Sequence, residues 1–170
     1  MRPFLSKANT ETLIHAFITC RINYCNALLS GLPKKSIAPI QLLQNSAARV
    51  LTKTTRRAHI TPILKSLHWL PVCFRIDFKI ILLVFKALNG LCPLYLSELF
   101  LPYVPPRTLR SQGSGLLALP KARTKTHGEA AFQFYAPRLW NSLPENLRTL
   151  TNIDIFKQRL KTHLFSQAFP

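Results

Sequence analysis

The chain has 170 residues, 48% of them hydrophobic, and carries 23 Lys and Arg against 6 Asp and Glu, a formal charge of +17. That hydrophobic share excludes a disordered tail, and the length is enough to bury a core. A field of this sign holds polyanions close, so nucleic acid or an anionic membrane is the natural partner.

In chain order, Asn9 or Thr10 is expected to cap a helix that runs through LIHAFITCRINYCNALLS and stops at Gly31 and Pro33. Leu13, Phe17, Ile18 or Cys20, Tyr24 and Leu28 recur at three-to-four spacing and form one broad apolar face. A second helix follows Ser36, admits Pro39 in its first turn, and buries Ile40, Leu43, Ala47, Val50 and Leu51. Thr61-Pro62 opens a short helix ending near Trp69, and Pro71 separates it from a long one that closes at Gly90. Pro93 begins a short turn, helical to Leu99.

The texture changes from Leu101. Proline and polar residues predict a linker over 101–115, then two short strands, 116–119 and 130–135, around a turn at His127-Gly128. RLWNSLP is a short helical or turn segment carrying Trp140. Thr151 or Asn152 caps a last helix with Ile153, Phe156, Leu160 and Leu164 on one face. The expected fold is mainly α: a helical region over 1–100, the linker, and a small mixed α/β region over 116–170 that ends in a helix.

The helix 74–88 is core-like, yet it carries three cations. At about 100° per residue, Arg75, Lys79 and Lys86 fall within roughly 40° of one another, a narrow stripe between apolar flanks. The stripe is either a solvated face with snorkelling lysine stems or a seat for an anion. Asp77 points away from it and is expected to answer an Arg from a neighbouring element, because a semi-buried carboxylate is costly unless paired. Further cations cluster at Lys34-Lys35, at Arg49, Lys53, Arg56 and Arg57, at Arg107 and Arg110, at Lys121, Arg123 and Lys125, and along the last helix. Tyr103, Phe132, Phe134, Tyr135 and Trp140 interleave with the later ones, as core residues or as stacking platforms beside phosphate contacts. The candidate phosphate-contacting residues are Arg49, Lys53, Arg56, Arg57, Arg75, Lys79 and Lys86.

Catalysis by the chain alone is not expected. Its acids, Glu11, Asp77, Glu98, Glu129, Glu145 and Asp154, form no pair that could hold magnesium ions. Its histidines have no carboxylate or cysteine partner at motif spacing, and no P-loop, HExxH or GxSxG occurs. Cys20, Cys25, Cys73 and Cys92 form no CxxC pair and lie in apolar helical runs, as reduced thiols do. No metal, cofactor, small-molecule substrate or membrane partner is expected. The apolar run 80–85 is too short to span a bilayer and the N-terminus lacks a signal core. The expected location is intracellular, nuclear or cytoplasmic, and not secreted.

Read together and in order, RPFLSKANTETLIHAFITCRINYCNALLSGLP, LQNSAARVLT, HITPILKSLHWLP, RIDFKI, PYVPPRTLRS, APRLWNSLP and FKQRLKTHLF carry a resemblance over essentially the whole chain. It resembles the C-terminal part of a LINE-type, jockey-like non-LTR retrotransposon reverse transcriptase, an RNA-directed DNA polymerase. The resemblance implies a thumb-like helical bundle with a C-terminal extension, following a palm domain that holds two adjacent catalytic aspartates. No residue here matches that palm motif, so no catalytic role is carried over, and the terminal Cys/His knuckle of some related elements is absent. Asn23 stands where Asp is common, and Ala58 where an acid often precedes HITP. Met1 stands at an internal position of the pattern, as in the remnant of a truncated element. The implied function is non-catalytic binding of RNA or an RNA–DNA hybrid through phosphate-backbone contacts, with the parent's palm as a protein partner. The alternatives are a structural or interaction module that packs on a missing palm, and a decayed element with no cellular role.

Overall fold

In a computed structural model, residues 6–105, 114–120 and 131–170 are described. They are mainly α-helical. The elements are α1 (Lys7–Ile14), α2 (Cys20–Asn23), α3 (Lys34–Thr52), α4 (Ile60–Ser66), α5 (Val72–Leu88), α6 (Leu94–Ser97), α7 (Phe132–Asn141), α8 (Glu145–Arg148) and α9 (Ile153–Ala168). A π turn over His15–Thr19 joins α1 to α2, and a 3₁₀ turn over Asn26–Leu29 follows α2. The chain divides into two compact units, one of residues 1–76 and 164–170 and one of residues 77–163, so α5 and α9 contribute to both. No helix among the described residues is long and apolar enough to cross a membrane.

In the first unit, Ser6 caps α1, its hydroxyl accepting from the Asn9 N–H at 3.2 Å, one turn earlier than the expected Asn9 or Thr10. The expected apolar face of this segment is not its buried face. Phe17, Tyr24 and Leu28 are 72%, 79% and 81% exposed, whereas Ile14 and Ile22 are buried and Ile18 packs against the core. The cause is the π turn, in which the Cys20 N–H donates to His15 O, five residues back. Thr10, Ile14, Ile18 and Ile22 are spaced by four, a repeat that drifts around an ideal 3.6-residue helix, and one wider turn takes up the drift. The helix also ends earlier than expected: Tyr24 is extended and Cys25 is left-handed at φ 50°.

On α3 the buried residues are Gln44, Ala47, Ala48 and Leu51, while the expected core residues Leu43 and Val50 are exposed. The first unit's core gathers Ile14, Ala47, Ala48, Leu51, Ile63, Leu64, Trp69 and Phe169. The start of α5 is tied to α3 by side-chain amides. Gln44 donates to Leu70 O at 2.8 Å, and Gln41 Oε1 accepts from the Val72 N–H at 2.8 Å, satisfying one of that helix's orphan donors.

In the second unit, Ile80, Ile81, Val84 and Phe85 of α5 are fully buried together with Trp140, Phe156 and Leu160. The Phe156 ring stacks on Phe85 at 4.1 Å and tilts against Trp140 at 5.9 Å. Asn152 caps α9 as expected, its Oδ1 accepting from the Asp154 and Ile155 amides. The expected strand over 130–135 is corrected: α7 begins at Phe132, because Phe132, Ala136 and Trp140 repeat every four residues and lie on its inner face. The expected strand 116–119 is reduced to one isolated antiparallel bridge, Pro102 to Leu117. No mixed α/β tail exists among the described residues, and the turn expected at His127-Gly128 lies outside them.

Candidate nucleic-acid interface

The first unit holds eleven of the 23 cations and one of the six acids, a net +10. Its one acid, Glu11, lies 3.7 Å from His15 Nε2 one helical turn away. Three of the expected site residues, Lys53, Arg56 and Arg57, belong to the connection from α3 to α4, and a fourth, Arg49, lies in the last turn of α3. Lys53 is left-handed at φ 54° and closes α3, its N–H donating to Arg49 O. Thr54 N–H donates to the same carbonyl at 3.2 Å, and Ala58 N–H donates to Thr55 O at 3.2 Å, folding residues 53–58 into consecutive tight turns. With the backbone thus occupied, Lys53, Arg56 and Arg57 project into solvent, joined by His59 at the start of α4. No ion pair engages any of them among the described residues.

Arg49 behaves differently. Its Nη2 donates to Ala58 O at 3.3 Å, bracing the turn from below, and its buried Nε has no partner among the described residues. The four residues are therefore brought together as three exposed cations over one half-buried guanidinium.

The other three are spread along α5. Arg75 donates through Nε to Leu70 O at 2.8 Å and through Nη1 to Asn23 Oδ1 at 3.3 Å, inside the first unit. Burial pushes its pKa down from the ordinary arginine value, so the charge is held by the carbonyl and amide oxygens rather than by water. Lys79 is exposed and Lys86 half-buried, both in the second unit.

Asp77 does not meet an arginine among the described residues. Its Oδ1 accepts from the Tyr135 hydroxyl at 2.9 Å. Burial raises its pKa above the ordinary aspartate value, and the tyrosine hydrogen bond opposes that rise. Of the expected aromatic platform, Tyr103 stays 45% exposed and Phe134 is half-buried, while the other three turn inward. Trp140 is 1% exposed and donates Nε1–H to Gly115 O at 2.8 Å, Phe132 meets Phe100 edge-on, and Tyr135 serves Asp77. Arg107, Arg110, Lys121, Arg123 and Lys125 lie outside the described residues. Sequence reasoning passed over Arg21, which is exposed between Phe17 and Tyr24; its signal is a lone cation inside an apolar repeat that the π turn leaves facing solvent.

None of the four cysteines forms a disulfide, and no group of three or more His, Cys, Asp or Glu among the described residues could hold a metal ion. Comparison of the chain with protein-family models, with curated proteins and with solved structures found no match.

Proposed function

We propose that the chain is a non-catalytic, nucleic-acid-binding segment, the thumb and C-terminal extension of a retrotransposon reverse transcriptase, and that it holds RNA or an RNA–DNA hybrid by its phosphates. The observation that carries the binding reading is the α3–α4 turn, where Lys53, Arg56 and Arg57 stand exposed with no ion pair among the described residues. Cations without base-reading chemistry around them suit backbone contacts, which position a duplex and carry no sequence information. The lineage rests on the ordered motifs from YCN to FKQRLKTHLF. Arg49 supports the turn, Arg75 is engaged by oxygens of its own unit, and Lys79 and Lys86 supply further phosphate contacts from α5.

The test is the salt dependence of binding to an RNA–DNA hybrid, measured by fluorescence anisotropy of labelled hybrid. The affinity of the wild-type chain should fall steeply as salt rises, with little preference for sequence. Replacing Lys53, Arg56 and Arg57 by alanine should reduce the slope of log K against log salt by about 2 to 3, near one per lost phosphate contact. A triple variant with an unchanged slope would remove the turn from the interface, and a wild-type slope near zero would sink the whole reading.

A second reading, a module that docks on another domain through apolar surface, is favoured by the second unit. There Leu91, Leu94, Tyr95, Leu101 and Val104 are each more than half exposed within fourteen residues. Alanine at Leu94 and Tyr95 would then abolish docking to a palm domain and leave hybrid binding intact.

A further inference from the structure

The exposed side of α1, the π turn and α2 has a composition that the cationic turn lacks. Phe17 and Tyr24 are 72% and 79% exposed, and Arg21 is exposed between them. Arg21 makes no hydrogen bond or ion pair among the described residues. The rings are seven residues apart in sequence, Phe17 in the π turn and Tyr24 just past the end of α2. Neither ring is needed by the core, which is built from Ile14, Ile22 and the residues they pack against.

A large exposed aromatic face in a strongly cationic unit has two chemistries open to it, a base or an apolar partner surface. The charge decides between them. The unit has one acid against eleven cations, and that acid lies beside His15. The complement of such a surface is therefore polyanionic as well as flat and apolar. A single nucleic-acid strand meets both conditions, because its bases are unstacked and free to lie on aromatic rings while its phosphates reach a neighbouring guanidinium. A duplex meets only one of them, since its bases are already stacked on each other.

We infer that Phe17, Arg21 and Tyr24 form a binding site for single-stranded nucleic acid, with bases stacked on the two rings and a phosphate held by Arg21. The site deepens the nucleic-acid reading and rests on it, but it is separate in sequence from the α3–α4 turn and uses stacking rather than charge alone. The π turn gives Phe17 its structural cause: by absorbing the drift of the isoleucine repeat, it keeps Ile14, Ile18 and Ile22 inward and leaves Phe17 outward, while Tyr24 is exposed where the chain turns extended past α2.

The experiment compares binding of labelled oligo(dT) and of a labelled RNA–DNA hybrid to the full chain, as wild type, as Phe17→Ala/Tyr24→Ala, as Tyr24→Trp, and as the Lys53/Arg56/Arg57 triple alanine variant. The double alanine variant should bind oligo(dT) at least about 30-fold more weakly, from two lost stacks, and the hybrid less than about threefold more weakly. Tyr24→Trp should retain oligo(dT) binding, with indole fluorescence quenched on addition. Equal losses on oligo(dT) and hybrid, or no loss on either, would overturn the stacking site, as would a wild-type chain that binds hybrid but not oligo(dT). A triple variant with an unchanged salt slope, beside a double variant that still loses oligo(dT), would instead remove the turn and leave the stacking site standing. A wild-type chain that binds neither probe overturns both.

Discussion

Phe156→Ala should cost the second unit about 4 kcal/mol, the middle of the range for a fully buried phenylalanine truncated to alanine. Phe156 is 0% exposed, and its ring lies between Phe85 at 4.1 Å and Trp140 at 5.9 Å, so truncation removes two aromatic contacts and opens a cavity at the centre of the core. Trp140 is itself pinned by its 2.8 Å hydrogen bond to Gly115 O and cannot swing in to fill the space. For a unit of 60–100 residues each kcal/mol is worth about 4–8 °C in Tm, so the transition should fall by roughly 15–30 °C. The chain holds two tryptophans, Trp69 and Trp140. In a Trp69→Phe background the emission of Trp140 therefore reports this core alone, and urea titration of that signal gives the cost directly. Phe156→Leu, which keeps most of the volume, should recover more than half of the loss. A cost below about 1 kcal/mol for the alanine variant would refute the aromatic core as the source of this unit's stability.

Asp77→Asn should raise thermal stability at pH 7, because the amide keeps an acceptor for the Tyr135 hydroxyl and removes a charge that burial disfavours. The folded pKa is above the unfolded one, so the wild type is stabilised by protonation below the ordinary aspartate range and loses that stability as pH rises through the folded value. The advantage of the variant should accordingly vanish in melts near pH 3, and a gap that persists there would refute the assignment. Gly115→Ala should destabilise more than Gly90→Ala in urea titrations. Both glycines have φ near +70°, a cost of about 1–2 kcal/mol for any other residue, but a Cβ at Gly115 would lie 3.3 Å from Arg148 Cβ while Gly90 has open space.

Elements whose signal is local were legible in the sequence. The long helices α5 and α9 announce themselves by apolar repeats, with Asn152 at one start and Gly90, left-handed at φ 67°, past one end. The α3–α4 cation cluster was legible for the same reason, since charges four residues apart in a turn stay together whatever the rest of the chain does. What failed was whatever depends on a distant partner or on a departure from ideal period. FQFY alternates like a strand over four residues, and only the extension to Ala136 and Trp140 fixes the longer period. The inner face of α1 and α2 was misassigned because 3.6-residue arithmetic cannot anticipate a π turn. Asp77 was read as semi-buried and in want of a partner, but Tyr135 is 58 residues away and no local rule selects a hydroxyl over a guanidinium. Arg75 looked free on a helical wheel, and only the fold brings Asn23 and Leu70 O to it.

The first unit is left electrostatically incomplete by its own sequence. Helix N-termini favour negative charge, yet α1 and α3 open on Lys7 and on Lys34-Lys35, with no acid in either first turn and no side-chain cap on α3. Each misplaced cation costs roughly 0.3–1 kcal/mol at low ionic strength, and the net charge of +10 adds repulsion that no ion pair of the cationic turn relieves among the described residues. A protein under selection for stability alone has a simple remedy in one or two acids, and this unit does not take it. The same cations that weaken the isolated unit are the ones a polyanion would neutralise, so ligand binding and stability are linked: whatever binds the folded unit and not the unfolded chain restores stability in proportion to its concentration over its Kd. On the proposed reading, the excess charge and the exposed rings have one physical explanation, a surface whose counter-charge is supplied from outside the chain.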